Sequence, residues 1–164
     1  MNVRVKFLGG AQSVTGSKYL LEIDQHKIMI DCGLFQGLKE LRTRNWDPFP
    51  IDPKTIDAII LTHAHIDHSG YLPRLVGEGF SGPVYCTTAT ASLLDIMLKD
   101  AAKLQEEEVE FAKKKGYSKH NPPLPLFDLK DAIEALSLLR PYDYGQDVAV
   151  VDRINIRFSN AGHI

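Results

Sequence analysis

The sequence predicts a layered α/β domain, and three observations lead to this prediction. The first sixty residues contain short β-rich runs separated by tight-turn residues, as the strands of a sheet do. After residue 61 the apolar residues follow the three-to-four-residue period of helices, with a short strand between the helices. Two further β-rich runs then follow. Strands, and then helices interleaved with strands, are typical of a sheet covered by helices rather than of a helix bundle or a sandwich.

Seven strands are predicted, and one of them is a nearly continuous apolar run. That run, residues 56–61, indicates a strand that is buried on both faces. The other six are residues 3–8, 18–23, 27–30, 84–86, 147–151 and 154–160.

Four helices are predicted between and after these strands. They cover residues 35–44, 70–76, 90–115 and 128–139, and Asp128 is a suitable N-cap for the last of them. The long third helix has an apolar stripe at helical spacing. The stripe consists of Leu93, Leu94, Met97, Leu98, Ala101 and Leu104. Proline-rich loops are expected at residues 46–53 and 121–125.

Composition and charge exclude several classes of protein. The chain has 164 residues, with 19 Lys and Arg against 21 Asp and Glu, which gives a net charge of −2. A strongly basic nucleic-acid coat is therefore excluded as the whole explanation of function. No apolar run approaches the ~18 residues of a membrane span. Two cysteines, Cys32 and Cys86, cannot form a disulfide framework, so we expect a reducing compartment, the cytoplasm, and no disulfide-linked partner.

The segment from residue 61 to residue 70 concentrates metal-binding side chains. It places three imidazoles and one carboxylate within six residues, at His63, His65, Asp67 and His68. On an extended chain His63 and His65 project to the same side. The turn into the next helix can bring Asp67 and His68 around to face them. Imidazole and carboxylate ligands at this spacing suit zinc or another borderline divalent ion, and do not suit magnesium or calcium.

An isolated histidine has a simpler explanation, because most are surface residues or hydrogen-bonded core residues. We interpret His26 and His120 in that way. The cluster is different, since burying several polar groups at the end of a strand is costly without a partner. Metal binding is therefore favoured for the cluster.

The cluster also carries a resemblance to a known family. Its pattern His-x-His-x-Asp-His at 63–68 resembles the second motif of the metallo-β-lactamase superfamily. The run GGAQSVTGS at 9–17 and the run IDCGLFQG at 30–37 resemble the β-CASP branch, which comprises RNA-processing nucleases such as ribonuclease J and the cleavage subunit of the mRNA 3′-end machinery. Residues 139–145 and 161–163 resemble the same branch.

Carried over to this sequence, the resemblance implies two zinc ions in the intact enzyme. One would be held by His63, His65 and His163, and the other by Asp67 and His68. Asp67 and His68 would also be catalytic residues. The implied activity is hydrolysis of RNA phosphodiester bonds, with RNA as the partner and no membrane; a homo-oligomer of the full-length protein is left open.

The resemblance also implies supporting roles outside the histidine cluster. Asp31 would orient the metal ligands by hydrogen bonding rather than bind metal itself. Gln12, Ser13 and Thr15 lie in a tight loop that would approach the substrate. Cys32 beside Asp31 is interpreted as a small buried hydrophobic residue.

The implied fold is the metallo-β-lactamase αββα sandwich, of which residues 1–164 would form the N-terminal half to two-thirds. The chain stops just after His163 of the third motif. The second half of the fold, its bridging aspartate and the β-CASP insertion would be absent. We therefore expect open sheet edges, one zinc ion or none, and little activity from this fragment alone.

Two alternatives to a ribonuclease stay open at this point. One is a hydrolase of thioesters or lactones on the same scaffold, against which the 9–17 and 30–37 runs argue. The other is a non-catalytic scaffold subunit of an RNA-processing complex. Such subunits lose metal ligands, whereas here every ligand expected in this part of the fold is present.

Overall fold

A six-stranded mixed sheet organises the fold, and its strands lie side by side in sequence order. The computed structural model describes residues 2–116 and 123–163. The sheet strands are β1 (Val3–Gly9), β2 (Lys18–Ile23), β3 (His26–Ile30), β4 (Ala58–Ile60), β5 (Val84–Thr87) and β6 (Leu139–Tyr142). β1 to β3 are antiparallel neighbours, whereas β3 to β6 run parallel to one another. The predicted α/β class is confirmed.

Five α-helices lie between these strands in the described part of the chain. They are α1 (Lys39–Thr43), α2 (Ile66–Ser69), α3 (Leu72–Gly77), α4 (Thr88–Lys115) and α5 (Leu129–Ser137). Short 3₁₀ turns cover Arg44–Trp46 and Pro53–Thr55. The predicted N-cap of α5 is confirmed: the Asp128 carboxylate accepts from the backbone N–H of Asp131, whose own carboxylate accepts from the N–H of Asp128. Within residues 2–116 and 123–163, no helix is both long and apolar enough to span a bilayer.

The two faces of the sheet are covered by different layers. On one face, alternate strand residues such as Leu20, Met29 and Ile59 pack against the inward sides of α3, α4 and α5. On the other face, Ile28 and Ile60 belong to a second core. Because side chains alternate across a strand, each central strand contributes to both cores. This alternation accounts for the continuous apolar runs in the sequence.

The second core is closed by an antiparallel hairpin of β7 (Asp147–Val151) and β8 (Ile154–Arg157). Val148 and Val150 of β7 are buried against the sheet residues of this core. The described layers are therefore helices, the six-stranded sheet and the hairpin, in that order. The hairpin also carries the chain toward His163, close to the carboxyl ends of the parallel strands.

The predicted helix over 35–44 is wrong in its first half. The Asn45 side chain is buried and binds both backbone groups of Phe35: its Oδ1 accepts from the Phe35 N–H (2.9 Å) and its Nδ2 donates to the Phe35 carbonyl (2.9 Å). These bonds hold the Phe35 backbone in a loop, and Gly37 has a left-handed backbone (φ 81°), which a right-handed helix excludes. Helix α1 therefore begins only at Lys39.

The end of the predicted 128–139 helix is also wrong. The helix ends at Ser137, and Leu139 begins the edge strand β6. Pro141 in this strand obscured its β character in the sequence, although proline is tolerated on an edge strand. The predicted 154–160 strand likewise ends early, at Arg157.

The apolar stripe predicted on α4 is partly wrong. Its buried residues recur every fourth position, at Thr90, Leu94, Leu98 and Ala102. Leu93 and Leu104 of the predicted stripe are 42% and 52% exposed, so the buried face of α4 is narrower than predicted. The predicted loop 121–125 lies partly, and His120 entirely, outside the described residues.

Candidate metal centre

The site forms where two neighbouring parallel strands end. β3 ends at Ile30 and is followed by Asp31, while β4 ends at Ile60, shortly before Thr62 and His63. Since β3 and β4 run parallel, the residues that follow them lie at the same edge of the sheet, where α/β folds bind ligands. Asp31 has a left-handed backbone, with φ of 60°, and its N–H donates to the Ile60 carbonyl (2.9 Å). Aspartate tolerates this conformation better than most residues.

Backbone hydrogen bonds fix the turn that carries the rest of the motif. The Cys32 N–H donates to the carbonyl of His68 (2.7 Å), and the Leu34 N–H donates to the carbonyl of Ile66 (3.0 Å). Between these bonds the chain at Gly33 passes so close to Asp67 that a Cβ on residue 33 would overlap the Asp67 carbonyl. Glycine is required at position 33 for this approach. Cys32 is fully buried, as expected from the sequence.

Three histidine side chains converge above this edge. Nε2 of His63 lies 3.0 Å from Nδ1 of His65, and Nε2 of His163 lies 3.3 Å from the same atom. All three ligand atoms lie within 4.8 Å of one another. A tetrahedral zinc ion with bonds of about 2.0–2.1 Å holds its ligand atoms roughly 3.3–3.4 Å apart. The donor set therefore fits a zinc-sized ion.

The hydrogen bonds of His63 leave the correct nitrogen free for a metal. The Thr62 hydroxyl donates its proton to Asp31 (Oγ1 to Oδ1, 2.9 Å). It must therefore accept from Nδ1–H of His63, which lies 2.9 Å away. The lone pair of that ring is then on Nε2, the atom that faces His65 and His163. Thr62 was not among the residues singled out from the sequence, although its place directly before the motif could have indicated it.

Asp31 also holds the fourth imidazole. Its Oδ2 accepts from Nδ1 of His68 at 2.7 Å, while Nε2 of His68 lies 3.6 Å from Oδ2 of Asp67. The His68 ring is tilted against His63, with centroids 4.1 Å apart. The structure thus places Asp67 and His68 beside the three-histidine cluster as a separate pair. Asp31 touches the back of the site and is 2% exposed.

Burial and charge move the proton affinities of these rings in opposite directions. Burial lowers the pKa of His63, and the neighbouring His68 lowers it further. Neutral imidazole, the form that binds metal, is therefore favoured at His63. The hydrogen bond from His68 to Asp31 raises the pKa of His68. In that bond Nδ1–H of His68 donates to Asp31. The other ring nitrogen, Nε2, faces Asp67.

The predicted substrate loop is linked to the site through the backbone. Its Ser13 and Thr15 side chains form hydrogen bonds within the protein. Gln12 is exposed with a left-handed backbone (φ 60°). The Ser13 hydroxyl donates to the Thr15 carbonyl (3.0 Å). The Thr15 hydroxyl accepts from the Gln36 N–H (2.9 Å), which anchors the loop. The loop leads directly to Ser17, whose N–H donates to the Asp67 carbonyl (2.9 Å).

The fold and the histidine cluster together define a metallo-β-lactamase-type domain. The family model described as the metallo-beta-lactamase superfamily matches residues 14–146, so the chain belongs to this superfamily. The superfamily expected from the sequence is confirmed. Among solved structures, the chain is similar to MEM-A1, a subclass B3 metallo-β-lactamase from a soil metagenome library. That likeness has a TM-score of 0.50 at 14% identity, and covers 93% of this chain and 48% of MEM-A1.

Among curated proteins, the chain is similar to a protein named a ribonuclease and to one named a transcription termination factor. It is 41% identical to ribonuclease TTHA0252 of Thermus thermophilus over 162 residues, which are 99% of this chain and 33% of that protein. It is 34% identical to the transcription termination factor FttA of Methanocaldococcus jannaschii, over 99% of this chain and 24% of that protein. The chain therefore spans a third or less of the length of these relatives.

Proposed function

We propose that this chain supplies the first metal-binding motifs of a zinc-dependent ribonuclease of the β-CASP type. The observation that supports this most is the convergence of three histidine nitrogens beside the His68–Asp31 pair. The relative named a ribonuclease, matched over nearly the whole chain, supports RNA as the substrate. Because the relatives are three to four times longer, the activity is proposed for a longer protein in which residues 1–164 form the N-terminal part of the domain.

The proposed zinc ligands divide into two groups. His63, His65 and His163 hold one ion, and Asp67 and His68 contribute to the second. Bound zinc would supply a water molecule of lowered pKa and positive charge for the oxygens of a phosphodiester. Two protein ligands are too few for a well-held second site, so we expect the chain alone to hold one ion.

The protein's own side chains prepare this site before any metal arrives. Asp31 fixes the ring of His68 directly and the ring of His63 through Thr62. Such supporting hydrogen bonds select the ring nitrogen that binds metal and restrict the ring's rotation. Asp67 and His68, whose facing atoms lie 3.6 Å apart, are proposed as the groups that orient the attacking water.

The proposal extends to partners and compartment. RNA is the proposed substrate, and no membrane partner is proposed. Both cysteines are free and buried, which suits a reducing compartment, and we propose the cytoplasm. Formation of a homo-oligomer by the longer protein stays a prediction.

Zinc binding to the chain tests the site assignment. The variants His63→Ala and His65→Ala are compared with the wild type by competition with a chromophoric chelator. His26→Ala is the matched control, since that ring lies 3.6 Å from Asp57 and away from the cluster. We expect at least a tenfold loss of zinc affinity in the first two variants and none in the control. Unchanged zinc content in both cluster variants would refute the assignment.

The substrate class is tested by exchange with a relative. Residues 1–164 replace the matching part of the Thermus thermophilus ribonuclease, and the hybrid is assayed on RNA, on a thioester and on a lactone. We expect cleavage of RNA that disappears with His63→Ala in a hybrid whose circular dichroism is unchanged. Turnover of the thioester or lactone alone would reject the proposed substrate, and a folded, zinc-loaded hybrid inert toward all three would favour the scaffold alternative.

A further inference from the structure

A buried lysine directly follows Ser17, which is hydrogen-bonded to the metal-binding turn at Asp67. Lys18 is the first residue of β2 and is only 3% exposed. It shares a strand face with the fully buried Leu20, because residues two apart on a strand point the same way. A charged side chain is rarely buried to this extent unless it is paired.

No acidic partner accounts for this burial. Among the residues that the structure describes, none forms an ion pair or a hydrogen bond with the Nζ of Lys18. Its contacts are two aromatic faces, with Nζ 4.6 Å from the ring centroids of both Phe35 and Tyr71. Burial, opposed by the neighbouring Cys32 and assisted by Arg44, lowers the pKa of Lys18 to about 8. The amine is therefore still mostly protonated at pH 7, with no anion beside it.

Lys18 lines a cavity of about 290 Å³, here called the Lys18 pocket. Its charged lining comprises two cations and one carboxylate, Lys18, Arg44 and Asp47. Arg44 is exposed at the rim, and its guanidinium lies 4.3 Å from the centroid of Phe35, the ring that Lys18 also contacts. The excess positive charge indicates that an occupant of this pocket is an anion.

The remaining walls indicate what else the anion carries. They are apolar and are provided by the rings of Phe7, Phe35, Phe49 and Tyr71 together with Leu8, Pro48 and Pro50. Phe49 is stacked on Tyr71 at 5.8 Å between centroids. Aromatic faces beside cations are the surfaces on which proteins stack nucleobases while pairing phosphates. The volume lies just below the range of about 300–1,000 Å³ for ligand pockets. It accommodates one nucleotide rather than a run of several.

We propose that the Lys18 pocket binds a single nucleotide, with Lys18 and Arg44 pairing its phosphate and the aromatic walls contacting its nucleoside. The identification of this nucleotide as part of an RNA substrate rests on the proposed function; binding of the nucleotide itself does not. The pocket adjoins the metal centre through the backbone, since Ser17 precedes Lys18 and donates to the Asp67 carbonyl (2.9 Å). A nucleotide held here would fix one part of an RNA strand beside the metal-binding turn.

Calorimetric titration of the whole 164-residue chain with adenosine 5′-monophosphate tests the proposal. The titration is run in excess chelator, so that binding through a metal does not contribute. We expect Lys18→Met to weaken binding at least tenfold, because it retains the length and apolar stem of lysine without the charge. Lys6→Met is the matched control, since Lys6 lies on the neighbouring strand and already pairs with Glu22 at 2.7 Å; it should bind like the wild type. Equal binding by Lys18→Met and the wild type would overturn the proposal.

Two further arms remove the remaining ambiguities. Arg44→Gln alters an exposed residue, so it tests the pocket even if Lys18→Met fails to fold; we expect severalfold weaker binding, and an unchanged affinity would contradict the role of Arg44. Adenosine and inorganic phosphate are titrated as part-ligands, and both should bind more weakly than the nucleotide. Phosphate that binds as tightly as the nucleotide would leave an anion site and overturn the nucleotide assignment, whereas adenosine that binds as tightly would overturn the role of the cations.

Failure of this inference is distinguishable from failure of the proposed function. A chain that binds the nucleotide but not zinc would retain the pocket and lose the metal centre. A chain that binds zinc at the histidines but no nucleotide would do the reverse. His63→Ala, which removes a proposed zinc ligand, should leave the nucleotide affinity unchanged in chelator.

Discussion

The metal centre and the Lys18 pocket are linked through the backbone at Ser17, and both bury charge, but in opposite ways. Asp31, 2% exposed, has both carboxylate oxygens occupied by hydrogen bonds from Thr62 and His68. Lys18, 3% exposed, has its amine over the rings of Phe35 and Tyr71, and no acidic group among the described residues pairs with it. Hydrogen bonding compensates the first buried charge, whereas the second keeps most of its desolvation cost.

The difference shows two ways in which a fold prepares a binding site. At the metal centre, the network from Asp31 selects ring nitrogens and holds them close to the spacing that an ion requires. In the Lys18 pocket the fold holds a cation away from water and leaves its partner to be supplied from outside. Removing the charge of Asp31 should therefore disturb the metal centre. Removing the charge of Lys18 should instead relieve the desolvation cost in the Lys18 pocket.

The largest expected effect separates the two regions by pH. Lysine has its ordinary pKa of 10.5 in the unfolded chain, whereas burial lowers the pKa of Lys18 to about 8 in the folded chain. Between these values the unfolded state binds more protons, so the stability of the folded state rises with pH. The full interval corresponds to about 3 kcal/mol. Urea unfolding from pH 7 to 10.5 should show the wild type gaining about that much relative to Lys18→Met.

The comparison with the variant is essential because other groups act in the opposite direction. Burial raises the pKa of the Cys32 and Cys86 thiols to about 12, so both resist ionisation in the folded chain and reduce its stability above pH 9. The Cys86 loss occurs alike in the wild type and in Lys18→Met. The Cys32 loss is nearly the same in both, because the Lys18 amine that lowers the Cys32 pKa is mostly neutral above pH 9. A constant difference between the two proteins across this pH range would show that the Lys18 amine is not desolvated.

Asp31→Asn should give the next largest effect, and it acts on the other region. The amide retains the size of the carboxylate and tolerates the left-handed backbone. However, it is uncharged and has a single oxygen, so it cannot accept hydrogen bonds from Thr62 and His68 on two separate oxygens. We expect zinc affinity to fall 10- to 100-fold, the usual cost of losing a group that orients metal ligands. Asp24→Asn is the matched control, because Asp24 also has a left-handed backbone (φ 51°) but lies in the β2–β3 turn. Equal losses in the two variants would indicate a general effect on folding.

Thr62→Val should give a smaller effect at the same site. It removes the hydroxyl that accepts from His63, but its backbone N–H still donates to Asp31 (2.8 Å), so the strand end stays fixed. A neutral hydrogen bond contributes about 1 kcal/mol, and we expect roughly a fivefold loss of zinc affinity. Thr62→Ser, measured in the same chelator competition, should restore most of it. No rescue by serine would mean that the methyl group matters rather than the hydroxyl.

The sequence predicted those features whose signals are local. The Asp128 N-cap and the strand at 56–61 that is buried on both faces are set by residues a few positions apart, and both were predicted correctly. The first half of the 35–44 helix was wrong because Asn45 binds the backbone of Phe35, a contact that helical propensity does not include. Strand β6 was missed because Leu139 pairs with Val84, 55 residues away, and Pro141 resembles a strand breaker.

The two sites differ in the same respect. The residues from His63 to His68 are contiguous and carry a recognisable pattern, so their chemistry is visible in the sequence. His163 approaches His65 only after β7 and β8 have folded back over the sheet, and only the family resemblance predicted it. The Lys18 pocket has no motif, because its residues come together through the packing of the 35–50 segment on β2. An inward position in an alternating strand was the one available signal for Lys18.

A crystal structure of the chain grown with excess zinc tests the central claim most directly. We predict an anomalous peak bonded at about 2.0–2.1 Å to Nε2 of His63, Nδ1 of His65 and Nε2 of His163, with the Thr62 and Asp31 hydrogen bonds intact. Imidazoles turned away from one another, with no metal peak between them, would contradict both the site assignment and the ribonuclease proposal.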